Sequence, residues 1–140
     1  MTAAASSRVV IDSSAVVALL ADAGQVGQWV ETVTASAGLF APELLPFEVS
    51  NILRRHALAG ILDAGAATLA HADLVALPID LYPYEIVANR AWELRANFTA
   101  YDAAYVALAE LLAAPLITLD QRLARAPGAR CRMLTYGGPL

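Results

Sequence analysis

A chain of 140 residues is long enough to close one full hydrophobic core and too short for a second domain of ordinary size. Apolar residues make up 59% of it, too many for a disordered chain. Charged residues interrupt them so often that no run reaches the roughly 18 apolar residues of a membrane-spanning helix. Nine basic residues against 13 acids leave a net charge of −4, which is not the basic footprint of a general nucleic-acid binder.

All nine bases are arginine, because the sequence contains no lysine. The apolar excess over what a core of this size needs points to surface left for a partner. The single cysteine, Cys131, cannot close an internal disulfide, in keeping with a reducing compartment. The opening MTAAASSRVVID lacks the charged n-region and sustained apolar segment of a signal peptide, so a cytoplasmic protein is expected.

In chain order, Arg8 to Asp12 reads as a short buried strand ending in a carboxylate, with Ser13 and Ser14 able to cap a helix over Ala15 to Ala21. Asp22-Ala23-Gly24 breaks that helix, and Val26, Trp29, Val30 and Val33 restore helical spacing over Gln25 to Ser36. A second strand is expected over Gly38 to Ala41, ended by Pro42. A long helix follows from Glu43 or Pro46 to Ala59, with Val49, Ile52, Leu53 and either His56 or Leu58 inward, and Gly60 stops it. Asp63 can cap a helix through Ala76, and Leu77 to Leu81 gives a third strand. After the turn Tyr82-Pro83-Tyr84, a helix over Glu85 to Ala96 can turn Ile86, Val87, Ala91 and Leu94 inward.

Asp102 begins the next helix, which is Ala, Tyr, Val or Leu at every position as far as Glu110; a helix apolar nearly all round is a buried one. Leu116 to Leu119, after Pro115, suits a parallel strand covered on both faces, and Asp120 follows it directly. A short helix over Gln121 to Arg125, a strand over Cys131 to Thr135 and a Gly-Gly-Pro tail complete the chain. The order β-αα-β-αα-β-αα-β-α-β predicts a parallel sheet flanked by helices, with ligands received outside the carboxyl ends of the strands.

Four acids stand where ionised carboxylates are expensive or where that rim lies: Asp12, Glu48, Asp102 and Asp120. Each also has an ordinary reading. Asp12 and Asp120 can be helix caps, Asp102 can complete a capping box with Thr99, and Glu48 can belong to a polar face with Asn51 and Arg55. Together they place two acids at strand ends and two at helix starts along one edge of one sheet. With these four set aside the remaining nine acids balance the nine arginines, so the net charge resides in this group. Crowded carboxylates repel one another unless a cation settles among them, and hard divalent cations prefer oxygen. His56 and His71 are read as ordinary surface or core histidines, and no cysteine pair or histidine cluster exists for zinc. The absence of lysine excludes both a phosphate-accepting receiver site and a Walker P-loop. A haloacid-dehalogenase phosphatase would need Asp-x-Asp where Asp12 is followed by Ser13 and Ser14, and no nucleophilic Ser-His-Asp arrangement has recognisable local context.

VVIDSSAVVALL, PFEVSNILRR and YDAAYVALAELLAAPLITLDQRL together resemble the PIN-domain family, specifically the VapC-like toxins of type II bacterial toxin-antitoxin pairs. The resemblance implies a three-layer α/β/α domain with a central parallel sheet of four or five strands. It further implies a Mg2+- or Mn2+-dependent ribonuclease that cuts structured RNA, often transfer or ribosomal RNA, by in-line attack of metal-activated water on a phosphodiester. Carried over by motif, Asp12, Glu48, Asp102 and Asp120 would form the metal site, with Thr118 and Ser13 in support. Arg54, Arg55, Arg122 and Arg125, the arginines nearest those acids in sequence, are candidates for gripping RNA phosphates. A homodimer and a small VapB-like antitoxin partner are implied as well. A non-catalytic PIN-like interaction module, and a PIN nuclease with another nucleic-acid substrate, stay open as alternatives.

Overall fold

The computed structural model describes residues 7–138. Residues 1–6 and 139–140, and with them the start of the amino-terminal stretch and Pro139 of the tail, lie outside the described residues. The elements are β1 (Ser7–Ile11), α1 (Ser13–Ala21), α2 (Gln25–Thr34), β2 (Ala37–Pro42), α3 (Leu45–Leu58), α4 (Ala64–Ala76), β3 (Ile79–Tyr82), α5 (Tyr84–Glu93), α6 (Ala100–Leu112), β4 (Leu116–Ile117), α7 (Gln121–Arg125) and β5 (Met133–Leu134). This is the expected alternation, with five strands in the sheet.

All five strands run parallel in the order β3-β2-β1-β4-β5. The chain lays β2 and β3 to one side of β1, then crosses back to place β4 and β5 on the other. The order therefore reverses between β1 and β4, where an open parallel sheet leaves a crevice at its carboxyl edge. Ile11 is in register with Ile117, and Asp12 N–H still donates to Ile117 O at 3.1 Å, so Asp12 and Thr118 leave the sheet as neighbours.

Helices α1 to α4 pack among themselves as one layer, and α5 with α6 forms the other, completing a three-layer α/β/α arrangement. Because α6 is seated on β1, β2 and β4 and is covered by α5, every residue from Ala103 to Ala109 is buried. Val10, Ile11, Val16, Leu116 and Ile117 are completely buried. Each such side chain contributes about 1.5–3 kcal/mol relative to exposure, so the middle of the sheet anchors the rim above it.

Several boundaries differ from those expected. β3 starts at Ile79 because Leu77 ends α4, and Pro78, which has no N–H, separates the two. β4 keeps only Leu116 and Ile117, although the Thr118 N–H still donates to Leu134 O at 3.1 Å. One inward assignment is corrected, Ile86 being 48% exposed; of the alternatives His56 and Leu58, His56 is the half-buried one and Leu58 is 73% exposed. Val87 and Ala91 set the buried stripe of α5, and Ile86 falls outside it; Leu53 is the last buried residue of α3.

The break between α1 and α2 depends on close backbone approach. Asp22 Oδ1 accepts the Gly24 N–H at 2.7 Å, turning the chain so sharply that a Cβ on Gly27 would lie 1.8 Å from Asp22 O. Gly27→Ala is expected to lower stability by about 1–3 kcal/mol through this overlap with rigid backbone. A reduced midpoint in urea unfolding is the check; an unchanged midpoint would show that the turn relaxes freely.

Candidate active site

Asp12 leaves β1 and caps α1. Its Oδ1 accepts the Ala15 N–H at 3.0 Å and the Ser14 hydroxyl at 2.6 Å, and its Oδ2 accepts the Thr118 hydroxyl. The two hydroxyls are themselves held from the far side: Thr118 Oγ1 accepts the Asp120 N–H at 3.0 Å, and Ser14 Oγ accepts the Leu119 N–H at 3.0 Å. This circuit joins the end of β1 to the end of β4. Asp120 caps α7, accepting from the Arg122 and Leu123 N–H groups at 2.9 and 3.2 Å. Asp102 lies in the first turn of α6, whose N-cap Thr99 accepts the Asp102 N–H at 3.1 Å. Glu48 lies in the first turn of α3, and its Oε1 accepts the hydroxyl of buried Tyr105 at 2.7 Å.

The sheet thus brings the four acids within mutual electrostatic reach. Burial pushes the Asp12 carboxyl above the usual range; Ser14, Thr118 and Ala15 oppose that rise without cancelling it, and Asp120 adds repulsion. Glu48 is raised by burial, opposed by Tyr105, and raised further by Asp102 and Asp12. Asp102 is raised by burial and by Asp120, against a lowering from Arg122. Burial, and next to it the Glu48 charge, pushes the Tyr105 phenol far upward, so Tyr105 remains a donor to Glu48.

The supporting groups differ in part from those expected. Thr118 touches Asp12, but the serine that reaches it is Ser14 rather than Ser13. With Asp12 as the cap, Ser13 opens α1 at the first position, half-buried, while Ser14 at the second turns its hydroxyl back to the carboxylate. Tyr105 was not anticipated; its position one helical turn beyond Asp102, on the same face of α6, was the available signal. Arg122 reaches the acids, its Nη2 lying 3.5 Å from Asp120 Oδ2 and 3.9 Å from Asp102 Oδ2. Arg54, Arg55 and Arg125 are exposed, and among the described residues none of them pairs with the four acids. His71 is exposed and His56 half-buried on α3, and among the described residues neither pairs with the four acids.

Among the described residues, no three of His, Cys, Asp and Glu converge tightly enough to cage an ion unaided. The donor set is nonetheless oxygen only, and Arg122 is the one cation among the described residues within ion-pair distance of it. The set fits a hard divalent cation that keeps part of its water, as Mg2+ does when bound through a few carboxylates, rather than zinc.

The rim, its acids and the strand order together define an α/β domain of the PIN type, and the comparisons agree. The model of the PIN domain matches residues 9–129, and the chain belongs to that family. Ribonuclease VapC9 of Mycobacterium tuberculosis is 39% identical over 123 residues, covering 88% of this chain and 94% of that protein. Ribonuclease VapC1 of the same organism is 41% identical over 128 residues, covering 89% and 94%. The crystal structure of PAE2754 from Pyrobaculum aerophilum superposes with a TM-score of 0.66 at 23% identity, over 91% of this chain and 83% of that one.

The raised Asp12 carboxyl has a consequence for stability. A carboxyl with a folded pKa above its unfolded value holds its proton more tightly in the native state. It therefore contributes stability below about pH 4, which is lost as pH rises through the raised value. In EDTA, the stability of Asp12→Asn relative to the parent chain is expected to improve as pH rises from about 4 through the raised value and to level off above it. Urea unfolding of both proteins across that range is the measurement; a constant difference would show that Asp12 bears no such burden.

Proposed function

We propose that this protein is a VapC-type toxin, an endoribonuclease that hydrolyses RNA phosphodiester bonds with Mg2+ or Mn2+. The observation that carries the reading is the gathering of four carboxylates at the reversal of strand order, faced by a single arginine, in a chain of the PIN family. The names of its relatives VapC1 and VapC9 support ribonuclease activity.

Asp12, Glu48, Asp102 and Asp120 would hold the ion, with water completing its shell. When bound, the ion lowers the pKa of a water for attack and offsets charge on the phosphoryl group. The chain supplies orientation. Ser14 and Thr118 fix both oxygens of Asp12, and Tyr105 fixes one oxygen of Glu48, so these carboxylates are set before substrate arrives. The end of α6 that carries Asp102 is held in place by its Thr99 cap. Phe47, beside Glu48, and Tyr101, beside Asp102, are 79% and 64% exposed and offer faces on which unpaired bases can stack. Arginines supply contacts to RNA phosphate, with Arg122 the best placed.

Within this reading the substrate is structured RNA of the transfer or ribosomal kind, the setting is the cytoplasm, and the protein is a homodimer neutralised by a VapB-like antitoxin. No helix among the described residues is long and apolar enough to cross a membrane. Exposed Leu58, Ile61, Leu69 and Val75 on and between α3 and α4 suit burial by a protein partner.

The deciding experiment is RNA cleavage by the purified chain. Cleavage is expected with Mg2+ or Mn2+ and none in EDTA, and Asp102→Asn is expected to reduce the rate at least about 100-fold while the fold survives. Full activity in Asp102→Asn and Asp12→Asn, or cleavage that ignores EDTA, would overturn the assignment.

A further inference from the structure

Arg122 stands apart from the other arginines in how it is held. Arg90 is clamped on several sides, by Glu110 at 2.7 Å, by Glu93 at 3.2 Å and by Gly128 O at 3.0 Å. Arg122 is 79% exposed, and its guanidinium meets only Asp120 Oδ2 at 3.5 Å and Asp102 Oδ2 at 3.9 Å. It sits two residues beyond Asp120, whose carboxylate caps the same helix, so the side chain folds back over the helix start toward the acids. Among the described residues it is the one cation within ion-pair distance of any of the four.

We propose that Arg122 is a built-in counter-cation of the acid site, standing beside Asp102 and Asp120 in the position of charge that a divalent cation takes over. The proposal rests on the reading of the four acids as a metal site. Asp102 and Asp120 are like charges, and the Arg122 guanidinium stands 3.9 Å from an oxygen of the first and 3.5 Å from one of the second. The long contacts and high exposure make it a weak hold, readily given up. An incoming ion must displace the guanidinium or bind against its charge. In either case Arg122 weakens metal binding while keeping the empty site together, and displacement frees its fork for a substrate phosphate.

The test is Mn2+ titration by calorimetry of the full chain, free of RNA, in the parent, Arg122→Gln and Arg122→Lys forms, with circular dichroism to confirm folding. Arg122→Gln is expected to bind Mn2+ about three- to tenfold more tightly than the parent, as for loss of one charge at a solvated distance of a few ångströms. Arg122→Lys, which keeps the charge, is expected to stay near the parent value, and the gain in Arg122→Gln is expected to shrink as NaCl is raised. Equal or weaker binding by Arg122→Gln, or a gain of the same size in Arg122→Lys, overturns the counter-cation role and leaves the metal site standing. Failure of the parent chain to bind Mn2+ at all overturns both.

Discussion

The structure turns on a carboxylate, Asp12, kept 5% exposed at the end of the central strand. An ionised group so placed is tolerated only where donors meet it, and both of its oxygens are met. Those donors come from the start of α1 and from the turn after β4, so satisfying one side chain fixes the relative position of two junctions. The hydroxyl of Thr118 and the backbone of Leu119 and Asp120 are held by the same circuit. The acid rim is thus pinned from its buried member outward, and Asp120 has its place because Asp12 has its own.

Helix α6 shows two ways of treating an acid. Glu110, near its carboxyl end, is pushed up by burial, but hydrogen bonds from Arg90 and the Arg130 N–H and the charges of both arginines bring it below the usual range. Asp102, at the other end, is left raised, with only an exposed arginine nearby. One acid has been neutralised within the chain and contributes to folding. The other keeps its raised carboxyl, with the exposed Arg122 at 3.9 Å as the cation beside it.

Much of this was legible in the sequence because the relevant signals are local. The apolar run from Ala103 to Ala109 announced a buried helix, and Asp12 and Asp120 announced strand ends by following short apolar segments. The capping expected of Asp12 and Asp120 is found: each accepts backbone N–H groups at the start of its helix. What was not legible depended on the direction of side chains across the fold. Choosing Ser14 over Ser13 requires knowing where α1 begins to the residue, and Tyr105 required knowing that the fold brings Glu48 of α3 to its hydroxyl. Ile86 was expected able to face inward, but a helix that buries one stripe leaves other large apolar residues in solvent.

The donors that hold Asp12 carry one more implication, for the timing of synthesis. Thr118 is 106 positions beyond Asp12 along the chain, and the Ser14–Leu119 bond spans 105. A chain emerging from the ribosome can form β1, β2 and β3 with their helices while the Asp12 carboxylate still lacks its far partner. Only when β4 slots in beside β1, with most of the polypeptide already made, does the acidic rim take its final form. The last contacts of the Asp12 carboxylate are therefore made only once nearly the whole chain has been synthesised.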